Sequence, residues 1–595
     1  MAEPRAFLGV TRSVTGRRWR SRLGDERLAL ALAQRLELPE VVGRVLAARG
    51  VELDEGQAFL EPKLRASLPD PSDLRDMDRA AERLRCAITE HEPTVVFADY
   101  DVDGATSSAL LKRFFEAVGG RLEIYVPDRL TEGYGPNAPA LLGFKARGVR
   151  LVITVDCGVS SHEALGAAAA AGLDVVVVDH HLAEPRLPPA CAIVNPNRLD
   201  ESGAHRQLAA VGVTFLLVVA LNRELRAAGW YGEHRPEPDL LEWLDLVALG
   251  TVCDVVPLTG LNRPLVSQGL KIMAARRNLG LGALAEVAGL HEPPAAYHLG
   301  FVLGPRINAG GRVGRADLGA RLLATSDAAE ARSLAQELHR LNAERRAIES
   351  LVEEAATAQA ASRGEGPETL VFVAGAGWHA GVIGIVASRL KERYRRPAFV
   401  VALAGGIGKG SGRSIPGVDI GAAVTAARQA GLLVNGGGHP MAAGLTVAED
   451  RLAELERFLS ARLAASVAAA AEHEGLGLDG ALSVAAATPE LLETLARAGP
   501  FGSGNPEPRF ALPAARVVRA DVVGENHVRC ILADSSAGRL KGIAFRSLDR
   551  ALGQALLGAG ANPLHVAGRL VADNWRGEMR VQMHVDDVAD PAAGA

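Results

Sequence analysis

Cysteine is scarce in this chain of 595 residues: there are five, at positions 86, 157, 191, 253 and 530, widely spaced and odd in number. With no CxxC pair among them, neither a disulfide scaffold nor a thiolate zinc finger is expected, and a reducing cytoplasm suits the chain best. Long apolar runs are missing too. No stretch reaches the roughly 18 uncharged apolar residues of a membrane span, and the N-terminus lacks the apolar core of a signal peptide. A cytoplasmic protein with no membrane partner is therefore expected; the chain is also expected to be a monomer. Aromatic residues make up only 4%, which limits ring stacking to a few places. No GxxxxGK[ST] occurs, so no ATP-driven unwinding motor is expected in this chain. A formal charge of -5 excludes a uniformly basic coat for nucleic acid, although phosphate is bound by local clusters rather than by net charge. Lysine supplies only seven of the 65 basic residues. The arginine that replaces it suits bidentate phosphate contacts, but genomic base composition accounts for such a bias as readily.

The length corresponds to about four domains at roughly 150 residues each, and 48% hydrophobic with 23% charged residues is ordinary for a folded protein. Residues 1–75 alternate short apolar groups with charges and read as a helical N-terminal segment. Over 76–325 the apolar runs Val95–Ala98, Leu122–Val126, Leu151–Val155 and Val175–Val178 alternate with helical pattern, which predicts a doubly wound parallel sheet. Asp327-Ala-Ala-Glu330 resembles a capping box and opens a long connecting helix over 326–363. A smaller α/β domain is expected over 364–466. The short alternating runs of 467–595 predict a small β-barrel. The expected class is thus α/β multidomain, with a C-terminal barrel.

Doubly wound sheets bind ligands beyond the carboxyl ends of their strands, and three of the predicted strand ends carry aspartate. Asp99, Asp101 and Asp103 alternate in Phe97-Ala-Asp-Tyr-Asp-Val-Asp-Gly104, Asp156 follows the third run, and Asp179-His180-His181 follows the fourth. A lone DxDG is also the Asx turn that caps a helix, and a lone His pair is usually structural. Acids and imidazoles together at three parallel strand ends form a face suited to metal. Hard carboxylate oxygens with a minority of imidazole nitrogens predict two divalent cations, Mn²⁺ first and Mg²⁺ as the alternative, because so many acids would otherwise repel one another. Two such ions imply phosphoester chemistry. Cys157 and Cys253 are expected to be packing residues.

Gly408-Lys-Gly-Ser-Gly-Arg-Ser-Ile-Pro-Gly417 reads as a flexible glycine loop that offers amides, the Ser411 hydroxyl and the Arg413 guanidinium to a terminal phosphate. His379 precedes a predicted helix N-terminus, where amides favour an anion, and a purely structural role is its alternative. Arg306, Asn308 and Arg312 read as a polar group after a loop. Phe545 and Trp575 are stacking candidates on the barrel.

Taken together, Asp99-Tyr-Asp-Val-Asp-Gly104, Asp156, Asp179-His-His181 and Gly250-Thr-Val-Cys-Asp-Val-Val-Pro257 resemble the successive motifs of the DHH phosphoesterase superfamily. Within it, Thr131-Glu-Gly-Tyr-Gly135, Gly304-Pro-Arg-Ile-Asn-Ala-Gly-Gly-Arg312, Trp378-His-Ala-Gly-Val-Ile-Gly384, Gly410-Ser-Gly-Arg-Ser-Ile-Pro-Gly417 and Gly436-Gly-Gly-His-Pro440 are similar to the RecJ family of single-strand-specific 5′-to-3′ exonucleases. The resemblance implies a DHH catalytic domain, a DHHA1 domain and an OB-like barrel. It implies that Asp99, Asp101, Asp103, Asp156, His180 and Asp254 ligate the cations, with His181 in their close shell. It makes Ser411, Arg413 and Arg129 the pocket for a 5′-phosphate, Gly438 and His439 a closing motif near it, and Tyr134 a platform for a base. The implied substrate is single-stranded DNA with a 5′ end, cut to 5′-mononucleotides in recombination and repair, with a helicase and a single-strand-binding protein as partners.

Two other functions use similar motifs. A DHH phosphodiesterase acting on short oligoribonucleotides or cyclic dinucleotides shares the metal residues, but such enzymes are generally shorter. A non-catalytic RecJ-like replication scaffold has no need to keep acids and histidines at every motif, as this chain does. Pyrophosphate hydrolysis fits less well, because Phe97 stands where that family has a metal-binding His. Some bacterial relatives carry a further domain after the barrel, and partner binding attributed to it is not carried over.

Overall fold

The computed structural model describes residues 5–129, 131–362, 369–473, 475–536, 538–575 and 578–594. The chain divides into two compact units, one of Pro69–Asp254 with Gln268–His473, the other of Met1–Leu68 with Val255–Ser267 and Glu474–Ala595.

The larger unit begins with α1 (Met77–Thr89) and continues through β1 (Thr94–Ala98), α2 (Val102–Ala117), β2 (Leu122–Tyr125), α3 (Ala138–Ala146), β3 (Leu151–Val155), α4 (His162–Ala170), β4 (Asp174–Val178) and β5 (Ala192–Val194). The apolar runs are continuous because both faces of the sheet are covered. Val95, Val152, Val175 and Val177 pack with Leu141, Phe144 and Leu165 of α3 and α4. Val96, Ile153 and Val176, which point the other way, are fully buried too, and α2 and α5 (Ala210–Ala227) lie against β1, β3 and β4. All five strands are parallel, in the order β2-β1-β3-β4-β5. The winding reverses between β1 and β3, the crevice where such sheets take ligands. Register aligns Ala98, Val155, Val178 and Val194. The residues that follow, Asp99, Asp156, Asp179 and Asn195, therefore form the next row, at steps of about 4.8 Å.

Beyond α6 (Leu244–Cys253) and α7 (Gly304–Val313) runs the long helix α8 (Ala328–Ala361). Asp327 caps it, accepting from the amides of Ala329 and Glu330. Glu330 turns instead to Thr325 and Arg321, so only half of the predicted capping box forms.

A second sheet follows, built from β6 (Val371–Ala376), β7 (Ala398–Ala404), β8 (Ile407–Arg413), β9 (Asn435–His439) and β10 (Ala442–Ala448), with helices α9 (Ile383–Tyr394) and α10 (Ile420–Gln429). Its order is β9-β10-β8-β7-β6, with only β6 and β7 parallel. The glycine segment expected to be a flexible loop is largely strand β8, in the middle of this sheet. Its glycines serve close packing: a Cβ at Gly408, Gly410 or Gly412 would lie 2.6, 2.6 or 2.5 Å from the side chains of Val401, Leu445 or Phe399. Strand alternation then sends Lys409, Ser411 and Arg413 to the opposite face.

The smaller unit holds a closed five-stranded barrel of β11 (Phe510–Val523), β12 (His527–Ala533), β13 (Arg539–Ala544), β14 (Leu564–Trp575) and β15 (Glu578–Ala589), sealed by pairing of β11 with β14. Strand β13 escapes the alternating pattern of the sequence because Gly542 falls where an inward apolar side chain is expected. The N-terminal segment is not wholly helical. Arg18–Ser21 pairs in parallel with Gly475–Leu478, and the buried Trp19 indole donates to Asp587 of β15 at 3.0 Å. Among the described residues no helix is long and apolar enough to cross a membrane.

Candidate metal centre and phosphate site

At the end of β1 the chain turns at once into α2. Asp101 is the N-cap, its Oδ1 accepting from the amides of Asp103 and Gly104 at 2.9 and 3.2 Å. The capping role and a ligand role are thus compatible, since Oδ2 is left for the site. Asp103, buried in the first turn of α2, accepts from Ala210 and Val211 at the N-terminus of α5, at 2.6 and 2.8 Å. Asp156 has φ +60°, a left-handed backbone uncommon outside glycine and of the kind held under strain at functional sites. Asp254 is the C-cap of α6. His180 Nε2 lies 3.2 Å from Asp156 Oδ1, 3.6 Å from Asp254 Oδ2 and 3.9 Å from Asp103 Oδ2.

Among the described residues, three sets of donors lie close enough together to hold a cation: Asp99, Asp101 and Asp156; Asp103, His180 and Asp254; and Asp156, His180 and His181. Asp156 belongs to two of them, as a bridging carboxylate would. The donor set fits divalent metal on a direct observation. Asp99 Oδ1, Asp156 Oδ1, His180 Nε2 and Asp254 Oδ2 are buried without a hydrogen bond, a costly state unless a ligand completes it. Burial, reinforced by neighbouring carboxylates, pushes Asp99 and Asp156 well above the usual carboxylate range, Asp103 to about 7 and Asp254 to about 9. Burial, with His181 beside it, lowers His180 to about 4. Acids resisting their own charge around a neutral imidazole are the arrangement that a hard cation relieves.

Asp179 plays another part. Its Oδ1 accepts from the amides of His180 and His181 and meets His181 Nδ1 at 2.7 Å, while Oδ2 takes the Val159 amide. Burial opposes its charge, but the hydrogen bond and charge of His181 outweigh it and bring Asp179 down to about 2, and Asp179 in turn raises His181. Asn195 donates to the His181 carbonyl at 2.9 Å and Asn197 to that of His180 at 2.5 Å. The sequence places Asp179 among the acids at the strand ends without its positioning role, and it leaves Asn195 and Asn197 out; the signal that finds Asn195 is the row after each strand end. Tyr134 donates to the Asp156 carbonyl at 3.0 Å. Its ring is half exposed, with Tyr100 and His181 rings at 6.4 and 6.0 Å.

On the second sheet, Arg413 donates to Ser411 Oγ at 3.0 Å. Gly384, in the first turn of α9, lies so near that a Cβ there would sit 2.9 Å from Arg413 Nη2 and 3.1 Å from Ser411 Oγ. Arg129 stands over the Tyr100 ring, 4.9 Å from its centre, and Arg312 donates to the Gly381 carbonyl at 2.8 Å. Burial, then the charges of Arg129, Arg345 and Arg413, bring Arg312 down to about 10, while burial and Arg129 lower Arg413. Guanidiniums that penalise one another form a site for an anion. His439 stacks on His181 with centroids 6.2 Å apart and planes 21° apart, which joins this sheet to the metal centre. Gly438 allows a tight approach, since a Cβ there would lie 2.5 Å from Ala443 Cα.

Other candidates are placed differently. His379 Nδ1 accepts the Gly381 amide at 3.0 Å and shapes the turn before α9. Arg306, Asn308 and Arg312 lie on helix α7, not after a loop, because Pro305 suits a first helical turn. They are not one group. Arg306 donates to the Val302 carbonyl at 2.6 Å and His339 Nδ1 at 3.4 Å, whereas the half-buried Asn308 shares the face of Arg312, four residues on. On the barrel, half-exposed Phe545 lies between the rings of His527 and His584, at 5.2 and 4.9 Å. The Trp575 side chain lies outside the described residues.

Family models match three segments: DHH family, N-terminal domain, over 93–251; DHHA1 domain over 367–465; and RecJ OB domain over 478–587. The chain is 40% identical to the single-stranded-DNA-specific exonuclease RecJ of Dickeya dadantii (strain 3937), over 92% of this chain and 96% of that one. It is 38% identical to the protein of the same name from Escherichia coli (strain K12), over 93% and 96%. Among solved structures, RecJ of Thermus thermophilus in complex with Mn²⁺ superposes with a TM-score of 0.78 at 31% identity, covering 95% of this chain and 78% of that one. The Mg²⁺ complex gives 0.72 at 30%, covering 96% and 77%.

Proposed function

This chain belongs to the RecJ family of single-stranded-DNA-specific exonucleases, and from that membership we infer that it removes nucleotides from the 5′ end of single-stranded DNA in recombination and repair. Asp99, Asp101, Asp103, Asp156, His180 and Asp254 would hold two divalent cations, Mn²⁺ or Mg²⁺. When bound, such ions lower the pKa of a water and neutralise charge on the scissile phosphate. The chain's own groups supply the rest. Ser411, Arg413 and Arg129 grip the 5′-terminal phosphate, with Arg312 beside them. Tyr134 offers its exposed ring to the terminal base. His181, oriented and raised by Asp179, is placed to hold a proton for the departing 3′ oxygen. A terminal phosphate fixed relative to the acid row measures one nucleotide and admits the strand from one end only, giving 5′-mononucleotides. Catalysis is assigned to 76–325 and 364–466, joined by 326–363, except that Val255–Ser267 belongs with 1–68 and 474–595 to the other unit.

The observation that carries this assignment is the joining of two opposed clusters in one unit, orphaned acid oxygens on one side and guanidiniums on the other. They are linked by the Arg129–Tyr100 and His181–His439 contacts. A helicase and a single-strand-binding protein are the partners the activity calls for, since the sequence has no nucleotide-driven motor, and a monomer in the cytoplasm suits it. The test is incubation with Mn²⁺ and 3′-labelled, 5′-phosphorylated single-stranded DNA beside duplex, RNA and a cyclic dinucleotide, with Asp156→Ala as control. Loss of 5′ mononucleotides from the single strand, absent in the variant, supports the assignment. Preferred turnover of the dinucleotide, or binding without cleavage, overturns it.

A further inference from the structure

The sheet face that carries Ser411 and Arg413 does not end with them. Register across β8, β10 and β9 lays out three successive rows: Arg413, Ala442 and His439; Ser411, Gly444 and Gly437; and Lys409, Thr446 and Asn435. The first row meets the metal centre through the His439–His181 stack. The last lies four residues along each strand, about 13 Å farther from the acids. A cavity of about 550 Å³ spans the floor between, lined by Arg129, Ser411, Lys409, Asn435 and Thr446 among others. That volume accommodates a whole small ligand rather than one phosphate. Beside Ser411, the other two positions of its middle row are glycine for no packing reason. A Cβ on Gly437 or Gly444 would meet nothing within 4 Å, and neither has a backbone that favours glycine. Open floor, followed by an ammonium, a hydroxyl and an amide, is a place for further phosphate beyond the terminal one.

We propose that the Lys409, Thr446 and Asn435 row is a polyphosphate subsite, which lets the protein accept strands that begin with a 5′-triphosphate. The subsite rests on the exonuclease assignment and extends it. The α-phosphate takes the Ser411 and Arg413 position, and the β- and γ-phosphates run outward over the glycine floor to Lys409, a point charge on a long flexible stem. The bond broken is still the one between the second nucleotide's phosphorus and the first nucleotide's 3′ oxygen. Water supplies the new oxygen on phosphorus, and its proton ends on the 3′ hydroxyl. The first product is therefore an intact nucleoside 5′-triphosphate, and the strand left behind carries a 5′-monophosphate.

The experiment uses the full chain with Mn²⁺ and two 3′-labelled single-stranded oligonucleotides of one sequence, ending in 5′-monophosphate or 5′-triphosphate, with the first released nucleotide identified chromatographically. The expected result is comparable kcat/KM on both, with nucleoside triphosphate released from the second. Lys409→Gln should lower the triphosphate-to-monophosphate ratio of kcat/KM about tenfold, through KM, and Lys409→Arg should restore it. Cleavage of the monophosphate strand alone, or a ratio that Lys409→Gln does not move, overturns the subsite and leaves the exonuclease standing. Resistance of both strands overturns the exonuclease assignment and the subsite with it.

Discussion

Two buried aspartates of the larger unit, neither in the metal-ligand set, answer different physical demands. Asp179 has its carboxylate occupied by three amides and the His181 ring, so it positions an imidazole rather than a cation. Asp179→Asn keeps the shape and weakens that hold. The expected outcome, read well below the variant's melting temperature, is a fall in kcat/KM of about 100-fold at saturating Mn²⁺, the low end for a positioned acid–base group, with a lower melting temperature at pH 7, because the charge of Asp179, held down to about 2, favours the fold. Asp245, in the first turn of α6, is 2% exposed. Burial raises it to about 6, against the Leu246 amide and the charge of Arg113. A raised acid favours the fold while protonated, so its contribution is complete below about pH 4 and is lost as pH climbs through 6. Asp245→Asn should therefore raise the melting temperature at pH 8, through a gain in stability of no more than about 3 kcal/mol, and leave it unchanged near pH 4. Thermal melts at the two pH values check the sign. The sequence discloses that Asp99, Asp156 and Asp179 all stand at strand ends. It does not disclose that the third is a positioning residue, because the same residue type serves both roles and only the hydrogen bonds separate them.

Elements were legible where apolar periodicity is strong and hidden where glycine serves packing. The four apolar runs of the first sheet correspond to β1 to β4 because a short, continuous, valine-rich run between turns suits little besides a strand buried on both faces. Strand β8 reads as a loop because glycine is depleted in strands and common in turns. Here three glycines bring the strand against Val401, Leu445 and Phe399. Gly412→Ala is the sharp test, since Phe399 is fully buried and its ring is the nearest neighbour. Overpacking of this kind costs about 1–3 kcal/mol. A lower melting temperature for Gly412→Ala, with no comparable fall for Gly437→Ala, where a Cβ meets open space, is the expected pair of results. Equal melting for both variants would return β8 to the status of an adaptable loop. Helix α7 was hidden for a related reason: its Gly-Pro start looks like a loop, yet proline belongs in a first turn.

Across the whole molecule, every donor of the candidate metal centre falls in the unit of Pro69–Asp254 and Gln268–His473, and the barrel belongs to the other. Fold class was readable at this scale because each part has its own period, continuous in the parallel sheet and alternating in the barrel. The split into two units was not, since residues 5–68 and 255–267 join the barrel from far away in sequence. The division makes metal linkage local. A cation that binds only the folded form stabilises it by about 2.7 kcal/mol at a hundredfold excess over its dissociation constant. That energy is gained where acid repulsion is relieved. Mn²⁺ should slow amide hydrogen exchange in peptides covering 99–104, 155–181 and 247–254, while peptides of β11 and β12 keep their rates. Asp156→Asn, which removes the carboxylate shared by two donor sets, should abolish the slowing. Uniform protection of both units, or protection that persists in Asp156→Asn, would mean that the ion acts somewhere other than the acid row.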